Sequence, residues 1–115
     1  MLVSKRFPLK LPNNLNLNIE VHKAANHWLE WLTLERRAAT HTIDSYARDV
    51  SKFLAFMSHY KGNPVGIDEL AALKPVEFRA FLAQRRMEGL GNASLARALS
   101  ALKSLYRFLD LHQKI

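Results

Sequence analysis

Two apolar stripes at helical spacing set most of what this chain can become. Ile43, Tyr46, Ala47, Val50, Phe53, Leu54, Met57 and Tyr60 recur at three- and four-residue intervals, which puts them on one face of a 3.6-residue helix. This stripe stops at Lys61-Gly62-Asn63-Pro64, where glycine can cap a helix and proline forbids its continuation. The second stripe is Leu95, Leu99, Leu102, Tyr106 and Leu109, spaced 4, 3, 4, 3. It predicts a last helix that begins around Asn92 and buries those residues.

The remaining segments fit around these two. Val21, Ala24, Ala25, Trp28, Leu29, Trp31 and Leu32 keep the same period and predict a first helix from Ile19 to about Arg36. Pro75 suits a first helical turn, and Val76, Phe78, Phe81 and Leu82 mark a third helix ending near Gly89 or Gly91. Between Val65 and Lys74, Ile67, Leu70 and Leu73 can pack down on the core, but the span allows no more than a turn or two, so it reads as a connector. Residues 1–18 mix Pro8, Pro12, Asn13, Asn14, Asn16 and Asn18 with scattered leucines, which breaks every period and predicts a flexible N-terminal arm. Four helices, no strand and a length of 115 residues predict one compact all-α bundle over residues 19–113.

Composition narrows the function classes. Lys plus Arg number 17 against 10 Asp plus Glu, a net charge of +7, which favours a polyanionic partner over an acidic substrate. There is no cysteine, which excludes a disulfide scaffold, a thiolate nucleophile and cysteine-ligated metal. No window is apolar enough for a membrane span, and the first residues lack a signal-peptide core. A soluble cytoplasmic protein without a membrane partner is the expectation.

The positive excess lies in residues 1–39 and 92–115, while residues 62–91 balance. At 100° per residue the last helix groups Arg97, Ser100, Lys103, Ser104 and Arg107 opposite its leucines, with no carboxylate among them. The second helix groups Ser45, Arg48, Lys52 and His59, with Asp44 at one margin and Asp49 toward the other. Taken singly, such a face is most simply a solvated surface. Two of them, each with short hydroxyl side chains beside long cations, suit close approach to phosphates and base edges.

Catalytic and metal motifs are missing. The nearest histidines, His22 and His27, are five apart, not the four that places two ligands on one helical face, so neither metal nor cofactor is expected. The glycines at Gly62, Gly89 and Gly91 belong to no strand–loop–helix phosphate cradle. Asp68 and Glu69 are adjacent, so their side chains point apart, as surface charges do. Tyr46, Tyr60 and Tyr106 lie on or beside apolar stripes and read as packed rings rather than nucleophiles. Trp28 reads as a core anchor, while Trp31 is left open between core and a partner surface.

Thr42-Ile43-Asp44-Ser45-Tyr46-Ala47-Arg48-Asp49-Val50 followed by Phe53-Leu54, together with the run from Ser94 to Leu109 (SLARALSALKSLYRFL), resembles the N-terminal core-binding domain of tyrosine recombinases, closest to the Xer type. The resemblance covers about residues 19–113. It implies a SAM-like four-helix bundle of two crossed helical hairpins that forms half of a clamp around a recombination half-site on double-stranded DNA. It further implies DNA integration or recombination, chromosome-dimer resolution in the Xer type, and a second recombinase subunit as partner. Carried onto matching positions, it makes Thr42, Ser45, Arg48, Lys52, Arg97, Ser100, Lys103 and Arg107 the DNA contacts. Ala39 and Gly91 stand where the family often has a capping side chain, so Thr40 and Asn92 are expected to take over capping.

The family's catalytic constellation, a tyrosine nucleophile with Arg, Lys and His-x-x-Arg, belongs to a C-terminal domain that is absent here. The residues three after each histidine are Ala25, Glu30, Asp44, Gly62 and Ile115, none of them arginine. This chain therefore reads as a DNA-binding fragment without chemistry of its own. An all-α protein-interaction module with incidental positive charge is the alternative. A helix-turn-helix regulator fits less well, because the connection from second to third helix is far longer than the usual tight turn. On the DNA reading, Arg97→Ala loses affinity with little effect on stability, whereas Leu99→Ala costs stability through the cavity it leaves.

Overall fold

The computed structural model describes residues 17–112 and 114–115. The arm expected over residues 1–18 lies outside them except for Leu17 and Asn18. Five helices follow in order: α1 (Ile19–Leu34), α2 (Thr40–Lys61), α3 (Ile67–Ala71), α4 (Pro75–Met87) and α5 (Asn92–Leu111). The fold is all-α, as the periodicities require. The only extended pairing among the described residues is an isolated bridge between Leu17 and Val65, reinforced by Asn18 N–H donating to the Val65 carbonyl at 2.9 Å. Leu17 and Asn18, at the foot of α1, are thus pinned to the connector.

Local chemistry explains most boundaries. α2 ends where Gly62 takes φ 72 and its N–H donates to the Ser58 carbonyl, a left-handed cap that glycine adopts without a Cβ clash. α4 opens with Pro75 in its first turn, and the Lys74 N–H donates to Glu77 Oε1 at 2.9 Å. α1 stops at Leu34, two residues before the expected Arg36. There Glu35 and Arg36 N–H both donate to the Trp31 carbonyl, Ala38 N–H reaches back to the Leu32 carbonyl, and Arg37 sits in the left-handed region at φ 51. Neither Thr40 nor Asn92 caps: each is the first residue of its helix, and Ala39 and Gly91 hold the cap positions with no side-chain hydrogen bond. The connector contains only the five-residue α3, in which Leu70 is the buried residue, and Val65 before it is buried as well.

α5 is the axis of the bundle, packed on α1, α2 and α4. That corrects the expected burial. Leu95, Leu102 and Leu109 are buried, but Leu99 and Tyr106 are only half-buried, and Ala98, Ala101, Leu105 and Phe108, outside the stripe, are buried as well. A helix touched from three sides buries a wide arc, and the leucine stripe marks one edge of it. On α2, Tyr60 ends up exposed, its ring stacked on that of Phe56 at 5.4 Å. Trp28 is fully buried, as expected of a core anchor.

Two of the polar links between elements involve α3 and α4. Tyr106 Oη donates to the Leu70 carbonyl at 2.7 Å, fastening α3 to α5, and burial pushes its phenol well above the ordinary range. Lys61 at the end of α2 pairs with Glu77 on α4. The hydrogen bond from Lys61, helped by the Lys74 backbone, holds the Glu77 carboxyl below its ordinary 4.5. A carboxyl depressed by folding stabilises above its unfolded pKa, and that contribution is lost as pH falls through the folded value. Glu77→Gln is therefore expected to lower stability near neutrality and flatten the decline below about pH 4.5, measured as urea midpoints across an acid series.

Candidate nucleic-acid interface

The end of α1, the first half of α2 and the middle of α5 enclose an open cleft of about 510 Å³. Trp31, Leu32, Ala38 and Tyr46 supply its apolar lining, Thr42, Ser100 and Ser104 its hydroxyls, and Arg36, Lys103 and Arg107 its charge. No carboxylate lines it. Four of the eight residues expected at a DNA surface, Thr42, Ser100, Lys103 and Arg107, converge here from two helices distant in sequence. Tyr46 stacks on Trp28 with ring centroids 6.4 Å apart, and Trp28 Nε1 donates to Ser104 Oγ at 3.0 Å. The core and the wall of the cleft are thus joined through Ser104.

Arg36 was missed from sequence. Its guanidinium carbon lies 5.5 Å from the centre of the Trp31 ring, within cation–π range. Trp31 is itself half-buried against Phe108, with centroids 5.5 Å apart, which answers the question left open about this residue: it packs on the core with one side and faces the cleft with the other. The available signal was the pair of arginines at a predicted helix end, five residues after a tryptophan.

The other four expected contacts lie apart from the cleft. Arg48 donates to Ser45 Oγ at 3.3 Å on the outward face of α2. Lys52 is exposed further along the same face. Hydrogen bonds from Gln84 and Arg85 hold the Glu88 carboxyl below its ordinary range, and the Lys52 charge adds to this at longer reach.

Arg97 is engaged differently from a free surface cation. Its Nε donates to Asp49 Oδ2 at 2.8 Å and a terminal nitrogen to Oδ1 at 3.0 Å, a side-on fork across the α2–α5 seam. The Asp49 side chain is 1% exposed and that of Arg97 39%. This carboxylate raises the Arg97 pKa beyond its already high range. Asp49 thus belongs to the seam rather than to the polar margin of α2. Its position four residues before Phe53 and three after Tyr46, within the apolar stripe, was the sequence sign of burial. Among the described residues no cluster of histidine, aspartate and glutamate could hold a metal ion, and no helix is long and apolar enough to cross a membrane.

Comparison with known proteins decides the family. Residues 25–113 match the model of the phage integrase N-terminal SAM-like domain. The chain belongs to that family. Curated relatives carry the name tyrosine recombinase XerC. The protein of Agrobacterium fabrum is 49% identical over 83 residues, covering 72% of this chain and 26% of the relative. That of Rhodospirillum centenum is 42% identical over 88 residues, 76% of this chain and 26% of the relative. That of Rickettsia rickettsii is 34% identical over 94 residues, 82% and 31%. This SAM-like domain chain therefore spans about a quarter to a third of the length of the relatives it matches. No solved structure matches it.

Proposed function

We propose that this integrase-type SAM-like domain binds double-stranded DNA, gripping one recombination half-site while the strand-breaking and rejoining chemistry of a full-length recombinase resides elsewhere. The observation that carries this reading is the cleft in which Arg36, Lys103 and Arg107 converge with three hydroxyls and no carboxylate. Cations of this kind release counterions from the DNA backbone, and short hydroxyl side chains let the helices approach it. Thr42, Ser100, Lys103 and Arg107 form the cleft-side contacts, and Ser45, Arg48, Lys52 and Arg97 extend the surface along α2 and the seam. A second recombinase subunit is the protein partner of the full-length form.

Fluorescence anisotropy with duplex DNA over a salt series tests the reading. Affinity should fall steeply with salt, and Lys103→Ala should weaken all sequences alike and reduce the log–log salt slope by about one. An affinity that ignores salt would instead support the protein-interaction module, because apolar docking barely responds to it. The domain alone should form no covalent adduct with a nicked suicide duplex, since phosphoryl transfer needs a positioned nucleophile within a set of transition-state cations. A denaturant-resistant adduct lost on changing Tyr46, Tyr60 or Tyr106 to Phe would contradict this.

A further inference from the structure

The Asp49–Arg97 fork is an expensive way to join two helices. Taking a carboxylate out of water costs several kcal/mol before its partner compensates, and well-packed apolar side chains generally hold a seam as well or better. Nor does the pair lie wholly inside: Asp49 is 1% exposed but Arg97 39%. The carboxylate is sequestered while the arginine side chain stays partly exposed to solvent.

Arginine has five N–H donors in one plane. Asp49 takes two of them, from Nε and one terminal nitrogen, which leaves three, two of them side by side on the edge between the terminal nitrogens. That edge is planar, charged and held in one orientation by a buried anchor. A long side chain already fixed in this way loses little rotamer freedom when it binds. Its neighbours by helical spacing are Ser45, four residues before Asp49, and Ser100, three after Arg97. Both are short, so a flat partner can approach the guanidinium from the seam.

We infer that Asp49 is a positioning residue that turns Arg97 into a preset two-donor edge for a guanine, whose O6 and N7 acceptors in the major groove match that edge. The inference rests on the DNA-binding reading above and adds a specificity element to it: phosphate contacts set the affinity, and the anchored guanidinium sets a base preference.

Selection from a pool of randomised duplexes, using the 115-residue chain, tests this. The parent should enrich sequences with an invariant guanine, and replacing that base by 7-deazaguanine, which lacks the N7 acceptor, should weaken its binding roughly tenfold. Arg97→Lys keeps the charge but not the fork. It should lose the invariant guanine and be indifferent to 7-deazaguanine while remaining folded. Asp49→Asn should bind unselected duplex at least as well as the parent, with a weakened guanine preference. Circular dichroism at the assay temperature confirms that each variant is folded, and Arg97→Lys alone decides the matter if Asp49→Asn is not. A purely structural fork would lower affinity in step with the unfolded fraction and leave the preferred sequence unchanged. The same guanine preference in parent and Arg97→Lys, or a parent that binds duplex without preferring any base, overturns the inference while leaving DNA binding intact. A parent that binds no duplex even at low salt overturns the DNA reading itself, and the inference with it.

Discussion

Arg97→Ala is expected to lower folding stability by about 3 kcal/mol, read as a shift in the urea midpoint at an unchanged slope. The reason is what the substitution leaves behind. Asp49, 1% exposed, would lose both hydrogen bonds from Arg97, and removing one partner of a buried pair costs roughly 3–5 kcal/mol. The lower end applies because solvent reaches the arginine side and screens the pair. Removing both charges in Asp49→Ala with Arg97→Ala should recover much of the loss, since no orphaned carboxylate remains. Sequence reasoning expected Arg97→Ala to be silent for stability. A near-zero effect in the single variant would show that the fork contributes nothing to the fold.

A loss of similar or greater size is expected at Phe108. Its ring is fully buried, lies 5.5 Å from that of Trp31 and 5.7 Å from that of His27, and fills the joint between α1 and α5. Phe108→Ala should cost about 3–5 kcal/mol through lost burial and the cavity it opens. Leu99→Ala should cost clearly less, because Leu99 is half-buried and part of its surface already meets water. Thermal melts of the two variants beside the parent check the order. If Leu99→Ala proved the more damaging, the orientation of α5 described above would be wrong.

These two cases show where the sequence was legible. The four long helices, the Gly62 stop, the Pro75 start and the burial of Trp28 follow from local chemistry, which a linear pattern records. The depth of each residue on α5 does not, because it depends on how many neighbours surround the helix. With α1, α2 and α4 all packed on it, alanines 98 and 101 lie deeper than Leu99. The candidate site was legible in the same measure. Ser100, Lys103 and Arg107 line the cleft together because they share the polar face of α5 that a projection at 100° per residue picks out. Thr42 was found through the family resemblance, since the projected polar face of α2 lies apart from the cleft, and Arg36 enters from just beyond the end of α1, where no single-helix projection includes it. Asp49 was misplaced because a charged residue in an apolar stripe is assigned to the margin unless its partner, 48 residues away, is known.

The bond from Trp28 Nε1 to Ser104 Oγ gives this small domain an optical reporter of its own. The indole is buried and would otherwise be blind to events outside, yet its hydrogen-bond acceptor stands on the wall of the cleft. Anything that occupies the cleft and draws on the Ser104 hydroxyl changes the polarity felt by the Trp28 ring, so filling of the cleft should register as a shift in emission without any attached dye. Ser104→Ala would cut that line while leaving the cations of the cleft in place, separating a signal that arises at this wall from one that arises at Trp31.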